Sequence, residues 1–297
     1  MNTQDLNNLI LDAANADRIV RVETLLSLWR GYGTIERIFL SGGACGTVIL
    51  KHIELGAVKA AEKTVSHRRK HTSYLVEIEW YQRYGGQCDG RCRVPDFLAS
   101  AATDDTLVMV LEDMDTAGFP LRREHLSPAD MDACLFWLAN FHATFLQQAP
   151  EGLWETGTYW HLGTRGEEFR VMPKGPLKKR AHKLDDKLRS AAFQTLVHGD
   201  AKPENFCFSR EGWVAAVDFQ YVGRGPGIKD VAYFLWGIST QRAAEMLEVY
   251  FAHLRAAIQD RHPGIDVDAL EAEWRGLYPA ACDDFERFLA GWFILRR

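Results

Sequence analysis

The sequence predicts an α+β chain in two lobes, with an N-terminal antiparallel sheet carrying one helix over residues 1–112 and a larger, mainly helical part over residues 113–297. Three observations carry this. Short β-rich runs joined by glycines fill the first third, long helical patterns replace them after residue 113, and one strand-rich insertion, residues 195–220, interrupts the helices. No polar linker or internal repeat separates the parts, so the expected ligand site is a cleft between two halves of one folding unit.

After a short amphipathic start (Leu6, Leu9, Ile10, Ala13), residues 22–29 alternate as a strand does and run into a turn, Arg30-Gly31-Tyr32-Gly33. Thr34–Leu40 and Thr47–Ile53 are β-rich, and the glycine-laden Ser41–Gly46 between them suits a hairpin. Residues 72–84 set Tyr74, Glu77, Ile78 and Tyr81 at i, i+3, i+4, i+7, a helical stripe closed by Gly85-Gly86. Val94–Ala99 and Thr106–Leu111 complete the sheet. Ser127-Pro128 then supplies an N-cap and a first-turn proline for a helix through Met131–Leu146, apolar nearly all round and therefore buried. A Lys- and Asp-rich helix over 178–191 is expected at the surface, and residues 230–258 and 268–295 are mostly helical.

Composition removes several functions. With 35 Lys plus Arg against 40 Asp plus Glu, a net charge of -5, the chain has no basic field for a nucleic-acid backbone or an anionic membrane. Its 47% hydrophobic and 25% charged residues exclude disordered and collagen-like classes. No apolar run reaches the roughly 18 residues that span a bilayer, and the opening MNTQDLNNLILDAANAD lacks the basic end and cleavage site of a signal peptide. A cytoplasmic address is expected, with neither nucleic acid nor membrane as partner. The six cysteines, at 45, 88, 92, 134, 207 and 282, are too scattered for a disulfide framework, and Cys88–Cys92 has no second pair at zinc-ligand spacing.

The insertion carries the chemistry. It contains His198, Asp200, Lys202 and Asn205 in the pattern H-x-D-x-K-x-x-N, a turn at Arg210–Gly212, and a return strand ending in Asp218-Phe219-Gln220. A turn centred near residue 211 sets Phe208 opposite Val214 or Ala215 and Asn205 opposite Asp218, so that amide and carboxylate could share one cation. Such hard oxygens suit Mg²⁺ when water and phosphate fill its other positions. Asp200, after a mobile-looking Gly199, is free to take a proton, and His198 reads as structural support. Taken singly, a strand-end cap, a turn asparagine and a core histidine explain these residues; together on one hairpin they point to catalysis. In the sheet, Lys51 follows an apolar run in a central strand, where an ammonium needs a partner. Glu77, on the inward stripe, supplies one while Glu79 faces solvent, and the pair's spare donors could hold phosphate; a plain surface lysine is the competing reading.

HGDAKPEN followed by VDF resembles the catalytic loop and metal-binding segment of the protein-kinase-like fold, and HGD with AAVDFQYVG and KDVAYFL is similar to the aminoglycoside phosphotransferase and choline kinase superfamily. Within it GYG-x-I-x-R, VILKH, SYLVEIEWYQRY and VDFQ most resemble the ecdysteroid-kinase-like branch, including uncharacterised bacterial members. The resemblance runs over about residues 22–240. It implies a two-lobe kinase-like fold, ATP and Mg²⁺, and transfer of the γ-phosphate to a hydroxyl of a small molecule: an amino alcohol, an amino sugar or an apolar alcohol. Residue by residue, it implies that Asp200 is the general base, that Lys202 meets the γ-phosphate, that Asn205 and Asp218 bind Mg²⁺, that Lys51 with Glu77 orients the α- and β-phosphates, and that Asp230 braces the catalytic loop. The nucleotide loop falls at Gly31, Tyr32 and Gly33, because a strand and a hairpin must still fit before Lys51. Were Ser41–Gly46 the loop instead, Lys59 would be the lysine. Glu112-Asp113-Met114 would be the hinge offering backbone groups to adenine. Gln220 stands where protein kinases have glycine, and only nine residues separate it from Asp230, which argues against a protein kinase with a flipping activation segment. A nucleotide-binding pseudoenzyme and a ligand-binding module without chemistry are the other rivals. Tyr159, Trp160, Trp236 and Trp292 lie beyond the nucleotide residues and predict an aromatic-walled acceptor pocket favouring hydrophobic or amine-bearing alcohols over neutral hexoses.

Overall fold

Alternation of side chains builds a sheet with two different faces. The computed structural model describes residues 1–28, 31–55 and 64–296. Helix α1 (Thr3–Ala14) leads into strands β1 (Arg18–Ser27), β2 (Gly33–Ser41) and β3 (Thr47–Glu54), and after helix α2 (Val65–Arg83) come β4 (Phe97–Ala102) and β5 (Thr106–Glu112). These strands form one antiparallel sheet in the order β1-β2-β3-β5-β4, which makes β3 central. Ile38, Leu40, Val48, Leu50, Val108 and Val110 pack on one side with Ile10 and Ala14 of α1. The residues between them therefore face α2: Ile53 and Leu107 cluster with Tyr74, and Met109 and Leu111 with Trp80 and Tyr81. Lys51, two residues before Ile53, falls on this second face by parity.

Three boundaries differ from the periodicity. Helix α2 begins at Val65 rather than residue 72, capped by Thr64, whose side chain accepts from the His67 N–H at 3.3 Å. Its first turns, SHRRKH, are polar and leave no apolar stripe to detect. Strand β4 starts at Phe97 rather than Val94, after Pro95, which has no N–H to give a ladder. The first strand is shifted toward the N-terminus, and residues 29 and 30 lie outside the described residues.

Beyond β5 the chain turns helical. Helix α3 (Pro128–Thr144) opens with a capping box between Ser127 and Asp130 and buries Trp137, Leu138 and Phe141. It is followed by α4 (Gly166–Val171), α5 (Pro176–Arg189), the short strands β6 (Thr195–Val197), β7 (Phe206–Phe208), β8 (Val214–Ala216) and β9 (Gly223–Gly225), and helices α6 (Ile228–Phe234), α7 (Thr240–Arg261) and α8 (Val267–Leu295). Helix α5 turns most of its charges outward but buries Ala181, Leu184, Leu188 and Asp185, the last paired with His161 at 3.2 Å. Strands β6 and β9 pair, as do β7 and β8. Phe219, just after β8, stacks on Trp80 of α2 at 4.5 Å and also meets Trp137 and Phe141 of α3. That aromatic cluster, with each pair adding about 0.5–1.5 kcal/mol beyond its buried area, locks α2 against the segment that follows β8. No described helix is long and apolar enough to cross a membrane.

Candidate active site

The loop after β6 is shaped from behind. Asp230, in the first turn of α6, accepts the backbone N–H groups of His198 at 2.6 Å and Gly199 at 3.0 Å and also meets His142 Nε2 at 3.1 Å. Gly199 has φ +80°, and a Cβ there would stand 2.1 Å from the Tyr221 carbonyl oxygen, so only glycine fits. Its carbonyl also accepts from Tyr159 N–H at 3.0 Å, so this glycine is pinned and not the mobile joint that its type alone indicates. His198, fully buried, donates from Nε2 to the Val217 carbonyl at 3.0 Å and accepts the Asp200 N–H on Nδ1 at 3.2 Å, a structural role.

Asp200 itself is 8% exposed. Its carboxylate accepts from the Tyr233 hydroxyl at 3.1 Å and from Asn205 Nδ2 at 3.3 Å, with Lys202 Nζ at 3.4 Å. Burial pushes the carboxyl up to about 6 even though Lys202 and the Tyr233 hydrogen bond pull it down, and nearby Asp218 adds to the rise.

The opposite wall gathers cations around a second carboxylate. In the β7–β8 hairpin Phe208 pairs with Val214 and Phe206 with Ala216, and Val217 N–H donates to the Asn205 carbonyl at 3.0 Å. Asn205 therefore lies opposite Val217, not Asp218: Asp218 has left the ladder in a left-handed conformation, φ +69°. It is brought to the cleft by that turn instead of by cross-strand register. Its Oδ1 accepts from Gln220 Nε2 at 2.6 Å and lies 3.6 Å from Lys51 Nζ. Enclosure alone would raise the Asp218 carboxyl, but Lys51, Lys70 and Lys202 hold it below the ordinary aspartate value. Lys51 donates to Glu77 at 2.6 Å with both side chains buried. Burial works against the Lys51 ammonium, yet Glu77 and Asp218 outweigh it and keep the lysine charged.

A cleft of about 360 Å³ between the sheet and the helical part is lined by Lys51, Lys70, Glu77, Asn205, Asp218 and Gln220, and Asp200 connects to it through Asn205 Nδ2. Leu28, Ile35, Ile49, Leu111 and Val217 line it too, together with Arg37, Glu112, Asp113 and Arg122. The turn from β1 to β2 lies at the end of the sheet nearer Lys51, whose register partner on β2 is Ile35, two residues from Gly33. Gly33, φ +132°, has no room for a side chain, since a Cβ would stand 2.0 Å from the His52 carbonyl oxygen, whereas Gly31, φ +73°, opens onto free space. Tyr32 is buried and bonds His67 through its hydroxyl. Ser41–Gly46 sits at the far end of β2, where Gly42 and Gly43 press on Asp17 and Ala14; Lys59 lies outside the described residues. At the hinge, the Glu112 N–H donates to the Asp96 carbonyl at 2.9 Å and the Met114 carbonyl accepts from Phe119 N–H at 2.8 Å.

Three residues of the site escaped the sequence reading. Lys70 and Gln220 meet at 2.5 Å across the cleft, and Tyr233 reaches Asp200. Tyr233 follows Asp230 by one helical turn of α6, and that i, i+3 spacing could have placed both on the face toward the loop. Of the aromatics, Trp160 is fully buried and donates to Asp284 at 3.2 Å, which removes it from any pocket wall. Tyr159 stands 5.5 Å from Tyr233, and Trp292 packs at a 40° tilt against Phe288. Trp236 is half exposed against Phe285, itself 4.8 Å from Tyr233.

The donor set fits a hard cation. Asn205 commits Nδ2 to Asp200, on its carbonyl at 2.8 Å and its carboxylate, which leaves Oδ1 as the atom available to a metal, and Asp218 stays ionised in the same cleft. Among the described residues no group of three or more His, Cys, Asp or Glu could hold a metal ion by itself.

The model of the phosphotransferase enzyme family matches residues 38–265. Similar folds occur in the macrolide 2'-phosphotransferase of Brachybacterium faecium, with TM-score 0.56 and 15% identity over 99% of this chain and 93% of that one. They occur also in an aminoglycoside phosphotransferase of Streptomyces rimosus solved with ADP and streptomycin, with TM-score 0.50 and 15% identity over 94% and 99% of the two chains. No curated protein matches the sequence.

Proposed function

We propose that the chain, which belongs to the phosphotransferase enzyme family, transfers the γ-phosphoryl group of ATP to a hydroxyl of a small molecule. The observation that carries this reading is Asp200, buried, held up to about 6 and bonded to Asn205, which lines the same cleft as the Lys51–Glu77 pair and Asp218. A base poised near its operating pH is what removal of a hydroxyl proton needs.

In this reading Asp200 accepts the acceptor's proton, from a hydroxyl held within roughly 2.6–3.2 Å. Lys202, beside Asp200, counters negative charge on the transferring group. Lys51, fixed by Glu77, turns its remaining N–H donors to the phosphates, and the apolar side chains of the cleft take the adenine. Asn205 through Oδ1 and Asp218 would hold Mg²⁺, which when bound neutralises phosphate charge. Little covalent chemistry is asked of the protein beyond alignment and charge. We assign residues 1–112 to nucleotide binding and 113–297 to catalysis and acceptor binding, with the β1–β2 turn at Gly31–Gly33 over the phosphates. The narrower likeness to the ecdysteroid-kinase-like branch rests on the quoted motifs alone.

The acceptor must approach from the helical side, past Tyr159, Tyr233 and Trp236, and aromatic walls favour an apolar or cationic alcohol. A coupled ADP-release screen over amino alcohols, amino sugars, sterols and neutral hexoses, with Asp200→Asn in parallel, tests both levels. Stimulation chiefly by hydrophobic or amine-bearing alcohols is expected. Stimulation by neutral sugars alone would overturn the acceptor class and keep the kinase. ATP binding without release for any acceptor would favour a pseudoenzyme.

A further inference from the structure

Helix α2 brings a second lysine to the cleft. Lys70, Tyr74 and Glu77 stand at i, i+4 and i+7, one face of two helical turns, so the face that delivers Glu77 to Lys51 delivers Lys70 beside it. Both ammonium groups lie near the ring of Tyr74, Lys70 Nζ at 4.8 Å and Lys51 Nζ at 5.8 Å from its centroid, and that ring is fully buried. Tyr74 thus forms a common floor beneath two cations that both line the cleft.

The bonding of Lys70 is unusual for a lysine so placed. Its acceptor is the Gln220 carboxamide oxygen at 2.5 Å, a neutral group, which also accepts from Ser73 Oγ at 3.3 Å. The other end of the same carboxamide donates from Nε2 to Asp218 Oδ1 at 2.6 Å. Gln220 is 4% exposed, so one buried side chain spaces an ammonium and a carboxylate across its own width. Burial lowers the Lys70 pKa and the Lys51 charge lowers it further, against the pull of Asp218, so an anion at this spot would find an under-compensated cation. Charged donors bind charged acceptors about twice as strongly as neutral ones, and a polyphosphate is the anion this cleft is built to take.

We infer that Lys70 is a second phosphate-binding cation of the site, and that Gln220 is the residue that positions it and Asp218 together. The inference rests on the nucleotide reading given above. It assigns Gln220 a task that glycine in that position could not perform, since glycine has no side chain to join α2 to the carboxylate.

A tie between α2 and the Asp218 segment could also be purely structural, and the number of phosphates separates the two. Binding of adenosine, ADP and AMP-PNP to the full chain in Mg²⁺ is to be measured by calorimetry for the wild type, Lys70→Met, Lys70→Arg and Gln220→Leu, with thermal unfolding of each. For Lys70→Met, adenosine affinity should stay put while AMP-PNP affinity falls roughly ten- to hundredfold, the range of one charge-assisted contact, with a shallower salt dependence. Lys70→Arg should restore most of it, and Gln220→Leu should lose less with the same phosphate dependence. If Lys70→Met proves unstable, Lys70→Gln, which keeps a donor for Gln220 but not the charge, decides the matter. Equal losses for adenosine and AMP-PNP, or none, would overturn the inference and leave the nucleotide site standing. A wild type that binds neither compound would remove the nucleotide reading and this inference with it.

Discussion

The loop after β6, residues 198–205, and the strand-end segment, residues 217–220, each hold one carboxylate, Asp218 lining the cleft and Asp200 bonded to the cleft residue Asn205, and their surroundings push the two apart. Asp200 is enclosed, with a single ammonium at 3.4 Å and a tyrosine hydroxyl, and burial wins: its carboxyl rises to about 6. The Asp218 side chain is 36% exposed and feels Lys51, Lys70 and Lys202, and the cations win: its carboxyl falls. Identical side chains thereby acquire opposite aptitudes, one for receiving a proton and one for staying anionic beside a cation. Separated carboxyl pKa values assign an acid–base role and an electrostatic role within one site.

The comparison breaks first, and hardest, at Asp200. Asp200→Asn keeps the shape and the partners but cannot accept a proton, so kcat should fall about 10²- to 10⁴-fold, the usual worth of a general base, while the affinity for Mg²⁺-nucleotide stays near that of the wild type. Steady-state kinetics beside calorimetric ATP binding check this; turnover within a few-fold of wild type would remove Asp200 from the base role.

Asp218→Ala should show the mirror pattern. Losing the anion that faces three lysines removes the carboxylate proposed to hold Mg²⁺, and Mg²⁺-dependent ADP affinity should drop by about ten- to hundredfold with adenosine binding retained. An Asp218→Ala variant that binds ADP as before, with and without Mg²⁺, would mean that the low carboxyl serves only the lysines.

A third test uses stability. A carboxyl raised by burial is harder to ionise in the folded protein than in the unfolded chain, where it titrates near 3.8. Below about pH 4 both states are protonated and Asp200 imposes no ionisation penalty. As pH rises through about 6 the folded state must ionise the buried group, at a cost on the order of 3 kcal/mol by neutrality. Asp200→Asn should therefore melt a few degrees above wild type at neutral pH, with the gap closing as pH falls from 6 toward 4. A constant gap across that window would show that charge is not what destabilises the site.

How much of this contrast was legible depended on periodicity. Lys51 and Glu77 could be paired from the sequence because each sits inside an apolar pattern, of period 2 in β3 and 3.6 in α2, and a charge within such a pattern points inward. The sheet, the long helices and the family followed from similarly dense signals. Lys70 lies in the polar first turns of α2, where nothing in SHRRKH distinguishes the cleft-facing residue from its solvent-facing neighbours. Asp218 was identified by type, but its place was taken from ladder register, and a left-handed residue, φ +69°, leaves the ladder without announcing it in the sequence. Gly199 looked loose because glycine type says nothing about the partners that hold it. Which backbone groups are already bonded is likewise a tertiary fact, set at the Glu112 N–H by Asp96 and at the Met114 carbonyl by Phe119.

The smallest expected effect sharpens the comparison most finely. Tyr233 donates to Asp200 Oδ1 at 3.1 Å and so favours the ionised carboxyl, opposing burial. In the wild type, kcat/KM should fall tenfold per unit of pH below an apparent value near 6, because the protonated carboxyl cannot act as base. Tyr233→Phe removes one donor to the ionised form and leaves Asn205 and Lys202 in place, so the Asp200 carboxyl rises further and the acid limb moves to higher pH, by less than about one unit. Well above the limb, near about pH 8.5, Asp200 is ionised in both proteins and kcat/KM should coincide within about twofold. A limb that moves to lower pH would contradict the direction assigned to this hydrogen bond. A loss equal at every pH, with no shift of the limb, would mean that the Tyr233 hydroxyl acts on the acceptor itself, and the height of the Asp200 carboxyl would then be set by burial and Asp218 against Lys202 alone.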